Sequence, residues 1–179
     1  MSEATITRVP IRSIDDPAFE QVARRVPTPP REPGRESQFW PALSGFNIGS
    51  GTDVDISYLE STTKTPKASF DRHLHSEELF VCLEGDFVMP MATCRNPDDP
   101  EEIPHPEDLL CFHIKAGDMY VLKTNVWHNG GWPAQGTEKT RYIMVLSGHR
   151  GGEGHQGRVD HIMKNLPEGM LIQPEGLSG

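Results

Sequence analysis

The segment Glu78-Leu79-Phe80-Val81-Cys82-Leu83, then Glu84-Gly85-Asp86, then Phe87-Val88-Met89-Pro90-Met91-Ala92 constrains this chain more than any other. Two apolar runs of strand length flank a short turn, which is the pattern of an antiparallel hairpin. Comparable runs recur at Asp53 to Glu60, Ser69 to His75, Leu109 to Ile114, Met119 to Leu122 and Tyr142 to Leu146. Many short strands separated by turn signals indicate a β-barrel or sandwich rather than alternating strands and helices. The turns draw on 17 glycines and 16 prolines, and a hydrophobic fraction of 35% in 179 residues suffices for one folded domain.

The flanks read differently. Ile6 to Ile14 alternates apolar and polar residues as a strand does. Asp15-Asp16-Pro17 predicts a helix start, with Phe19, Val22 and Ala23 at helical spacing through Arg25. Pro27 to Pro33 predicts an extended loop, with Phe39 and Trp40 anchoring its return. The expected organisation is an extension over residues 1–45, a barrel over 46–147 and a Gly-rich tail over 148–179. Residues 96–108 predict an acidic, solvated loop, and Asp160 to Leu166 one or two helical turns.

The net charge of −9 argues against nucleic acid and anionic membranes as partners. No apolar run has transmembrane length and no signal peptide opens the chain, so a soluble, cytoplasmic protein is expected. Cys82, Cys94 and Cys111 lack CxxC spacing. Cys82 and Cys111 lie in apolar runs and are expected in the core, without a disulfide.

The chemistry is concentrated in Arg72-His73-Leu74-His75-Ser76-Glu77-Glu78. On a strand, residues two apart share a face, so His73 and His75 can converge on one ion. Strict alternation adds Glu77 to that face; a bulge brings Glu78 inward instead. A third histidine, His128, ends the run Met119 to His128. Imidazoles with a carboxylate suit a divalent transition metal such as Zn, Ni, Mn or Fe. His113 is a weaker candidate, and His105, His149, His155 and His161 are expected at the surface.

His73-Leu74-His75, Glu78 and Gly85 resemble the first motif of the cupin superfamily, whose six residues between Glu and Gly favour Glu78 over Glu77, and Gly117-Asp118 followed by His128 resembles the second. One residue fewer separates His75 from Glu78 than that pattern has, and Lys123 and Asn125 stand where many cupins carry Pro and Gly. Within the superfamily, Asp71-Arg72-His73, the run Phe87 to Ala92 and Asn125-Val126-Trp127-His128 are similar to phrases of the ureidoglycolate lyase family. Typical members of that family show only the first histidine of the HxHxxE pattern.

The resemblance implies an all-β fold, a single cupin (double-stranded β-helix, or jelly-roll) barrel with a short N-terminal strand–helix extension. It implies a metal held by His73, His75, Glu78 and His128. It implies a lyase or hydrolase for a small α-hydroxy or ureido acid, with a cation for the substrate carboxylate from Lys123 or Arg72, Arg141 being a rival. Whichever of Glu77 and Glu78 is not a ligand would serve as base. A homodimer is the expected assembly. The alternatives are a metal-dependent cupin dioxygenase and a non-catalytic small-ligand binder.

Overall fold

The computed structural model describes residues 4–27, 43–49, 54–147, 153–154 and 158–177. The loop anchors Phe39 and Trp40, together with His149 and His155, lie outside them. The strands in chain order are β1 (Thr5–Val9), β2 (Ile11–Ser13), β3 (Ala23–Val26), β4 (Val54–Ser61), β5 (Ser69–His73) and β6 (Glu78–Glu84). There follow β7 (Phe87–Thr93), β8 (Leu110–Ile114), β9 (Met119–Leu122), β10 (Val126–His128), β11 (Trp132–Pro133) and β12 (Thr140–Ser147). The C-terminal strands are β13 (Glu153–Gly154), β14 (Arg158–Val159), β15 (His161–Asn165) and β16 (Met170–Pro174). One short helix, α1 (Phe19–Val22), precedes β3.

Two antiparallel sheets carry the body. One has the central order β5-β10-β7-β8 and the other β9-β6-β12-β4. From β4 to β7 and again from β8 to β10 successive strands cross from sheet to sheet, while β7 and β8 pair within the first sheet, which is jelly-roll order. The chain is an all-β barrel, as the strand pattern requires. Its ends are woven into it: β15 adds to β5 and β2 adds in parallel to β8, on the two edges of the first sheet, while β3 adds to β9 of the second. No helix among the described residues is long and apolar enough to cross a membrane.

The first sheet is covered on both faces, and this decides what reaches the barrel interior. Alternation along β7 sends Phe87, Met89 and Met91 inward, to pack with Phe80, Phe112, Tyr120 and Tyr142. The alternate residues Val88 and Ala92 face outward, against Phe70, Trp127, Trp132 and Ile172. Cys82 falls in the inner cluster and Cys111 in the outer one. Along β5, Phe70 and Arg72 therefore belong to the outer layer, and Asp71 and His73 to the interior.

Several local expectations are corrected. The hairpin expected across Glu84-Gly85-Asp86 does not form: β6 pairs with β9 and β12 in one sheet and β7 with β8, β10 and β11 in the other, so the turn is a crossover between sheets. The strand expected over Ile6 to Ile14 is two strands, broken at Pro10, which lacks an N–H for the ladder. The helix expected through Arg25 ends at Val22, because Ala23 takes extended dihedrals and pairs with Leu122. The strand expected over Ser69 to His75 stops at His73. The helical turns expected at Asp160 to Leu166 are the strand β15, whose ladder with β5 overrides a weak local preference.

Candidate metal centre

Three inward side chains meet at one end of the barrel. His73 closes β5, Glu78 opens β6 and His128 closes β10. All three are buried. Glu78 places Oε1 3.1 Å from Nε2 of His73 and Oε2 2.9 Å from Nε2 of His128. The two rings are stacked 5.9 Å apart.

The outer nitrogens fix how the rings face. Nδ1–H of His128 donates to the carbonyl of Val126 at 3.0 Å. Nδ1–H of His73 donates to Oδ2 of Asp160 at 3.3 Å. Both Nε2 atoms therefore face Glu78, where each can carry a proton or ligate a metal. Nε2 of His128 and Oε2 of Glu78 stand 2.9 Å apart in a buried site. Two such atoms held this close require a positive charge between them, either protons or a metal ion.

The electrostatics agree. Burial drives the Glu78 carboxyl upward, but His128 and His73 outweigh it and hold it well below the usual carboxylate range. Burial depresses His73, yet Asp160 and Glu78 raise it to about 10. His128 is likewise raised, its burial outweighed by Asp71 and Glu78. Without a metal the group holds protons, and metal binding would displace them.

A second group adjoins the first. Asp71, His73 and His161 bring ligand atoms within 4.8 Å of one another, as do His73, Glu78 and His128. Oδ2 of Asp71 lies 2.9 Å from Nε2 of His161, and Oδ1 lies 3.9 Å from Nε2 of His128. Beyond them is a cavity of about 60 Å³, bordered by Leu59, Phe80, Met89, Tyr142 and Met144 with Asp71, Glu78 and His128.

The other sequence candidates are placed elsewhere. His75 is exposed beyond the end of β5; its N–H donates to Oδ1 of Asp160 and its carbonyl accepts from Asn47. The loop over residues 74–77, which bends at 74–75, restarts the alternation, so Glu78 and not Glu77 enters the barrel. Glu77 pairs with Arg24 at 2.6 Å and accepts from the Asn47 N–H. Arg72 is buried in the outer layer, 4.8 Å from the Trp127 ring, and donates to Cys94 Sγ, Asn125 Oδ1 and the Asp99 carbonyl. Lys123 donates to the Glu20 carbonyl beside α1. Arg141 bridges Glu60 and Glu84 on the outer surface. His113 pairs with Asp86, and His105 sits in the acidic loop.

Sequence reasoning missed Asp71, Asp160 and His161. Asp71 had a signal, since it lies two residues before His73 on one strand. Asp160 and His161 had none, because their place depends on β15 pairing with β5.

No family model matches this chain, and no curated protein does. Among solved structures it is similar to a dTDP sugar isomerase from Desulfovibrio desulfuricans G20, with 18% identity over 81% of this chain and 80% of that one, at a TM-score of 0.44.

Proposed function

We propose that this chain is a metal-dependent cupin enzyme acting on a small organic acid, with His73, Glu78 and His128 as protein ligands. The observation that supports it is the convergence of two imidazole Nε2 atoms on the Glu78 carboxylate, at 3.1 and 2.9 Å, in a buried site where unbalanced charge is costly. Two imidazoles and a carboxylate form a set that suits a divalent transition ion and leaves positions open to substrate.

A bound divalent ion supplies Lewis acidity, which lowers the pKa of an oxygen held on it. The chain supplies orientation and shelter. Asp160 and the Val126 carbonyl hold the two rings with Nε2 inward. Phe80, Met89 and Met144 give the cavity an apolar wall, and its small volume admits only the reacting end of a ligand.

The resemblance to ureidoglycolate lyases suggests an α-hydroxy or ureido acid. Transfer of the ureidoglycolate hydroxyl proton to the departing nitrogen forms the carbonyl of glyoxylate as the C–N bond breaks and urea leaves. Arg72 and Lys123 stand away from the cavity. Their absence leaves chelation to hold the substrate carboxylate.

A second reading, a cupin dioxygenase, is favoured by the same ligand set, which non-haem iron oxygenases use, and by the apolar cavity wall. The test is anaerobic incubation of metal-loaded protein with ureidoglycolate and a coupled glyoxylate assay. The lyase reading expects glyoxylate without oxygen. No release above the uncatalysed rate overturns it and moves weight to the oxygenase, which an oxygen electrode then checks.

A further inference from the structure

The inner group does not exhaust the ligands at this end of the barrel. Asp71, His73 and His161 form an outer group with the same chemistry and ligand atoms within 4.8 Å. The backbone sets it up. In the antiparallel ladder of β15 on β5, His161 lies directly opposite His73 and Met163 opposite Asp71. Directly opposed side chains share a face, and the His73 and His161 rings are 5.2 Å apart. The Leu74 N–H donates to the Asp160 carbonyl, pinning the start of β15.

Asp71 connects the two groups. One oxygen faces His161 at 2.9 Å and the other faces His128 at 3.9 Å, so a single carboxylate spans both. Its pKa is lowered: burial pushes it up, but His128 and His161 hold it down. The inner group is buried, whereas the His161 side chain is 20% exposed, which leaves an approach from solvent.

We propose that Asp71, His73 and His161 form a second position for a divalent transition ion, built jointly by the barrel and its C-terminal strand. This rests on the reading of the inner group as a metal centre. His73 belongs to both groups, so ions at the two positions compete for its ring and the outer one binds more weakly. An ion there ties β15 to the barrel, and Asp71 becomes a carboxylate bridge.

The test is titration of metal-free full-length chain with Co²⁺, read by calorimetry and visible absorption, for wild type, His161→Gln, His128→Ala and Glu78→Gln. Circular dichroism checks that each variant folds. Wild type is expected to show a tight and a weak step. His161→Gln should weaken the weak step at least tenfold and leave the tight one, while His128→Ala should lose the tight one. Hydrogen exchange of the β15 amides should slow as the weak step fills in wild type and not in His161→Gln. A single step, whatever its response to His161→Gln, overturns the second position. So do two steps that His161→Gln leaves unchanged, since His161 is then only a hydrogen-bond partner of Asp71. If His128→Ala and Glu78→Gln change nothing while His161→Gln abolishes a step, the inner reading fails and the outer position stands.

Discussion

Lys67 and Arg72 show how burial sets the behaviour of single residues. The Lys67 ammonium donates to Asn129 Oδ1 at 2.8 Å and lies 4.9 Å from the centre of the Trp132 ring. Burial lowers its pKa from 10.5 to about 8, with Asp71 opposing the shift. A folded-state value below the unfolded one means that the charge costs stability. The penalty is full below pH 8 and is relieved as the pH rises toward 10.5. Lys67→Met should therefore gain on wild type at pH 7, and the gap should narrow by about 1–3 kcal/mol by pH 10. Urea unfolding at both pH values measures it, and a pH-independent gap contradicts it. Arg72 is wholly buried and donates to three groups of the outer layer. Arg72→Met should cost about 3 kcal/mol or more in unfolding free energy, because charged hydrogen bonds are lost and acceptors are stranded. Metal content should persist. A stable variant with altered metal or substrate binding would instead return Arg72 to the site.

Elements were legible where local chemistry decided them. Strands β6 and β7 were written in their apolar runs, but the turn between them crosses from one sheet to the other, and it depends on Gly85, whose φ is +68°. A Cβ there would come within 2.2 Å of the Lys139 carbonyl oxygen. Gly85→Ala should destabilise the fold by about 1–3 kcal/mol, from the strained dihedral and the close backbone contact together. Chemical denaturation reads this, and an unchanged midpoint would show that the turn relaxes freely. The preference for Glu78 over Glu77 was legible through its spacing to Gly85. Its physical cause was not, because the chain bends between two strands rather than bulging within one. His75 misled because HxH alternation holds only while the strand continues, and β5 ends at His73. Alternation along β5 itself places Arg72 on the face opposite His73, away from the barrel interior.

At the scale of the whole molecule, the barrel was legible and its closure by the tail was not. The pairing of β15 with β5 joins segments nearly ninety residues apart, as the Asp160 and His73 contact does. No local period encodes such a contact. Yet it decides the centre: the tail supplies Asp160, which orients His73, and His161, which faces Asp71. Of the imidazoles and carboxylates that meet there, the sequence motifs pointed to His73, Glu78 and His128. The most direct measurement is metal affinity by chelator competition for wild type, Glu78→Gln and His75→Ala. Glu78→Gln keeps the side-chain shape and removes the charge. It should weaken the tight ion by more than the about 10–100-fold typical of losing an outer partner, while His75→Ala binds as wild type. Wild-type affinity in Glu78→Gln, or a loss in His75→Ala as large as that in Glu78→Gln, contradicts the centre described here.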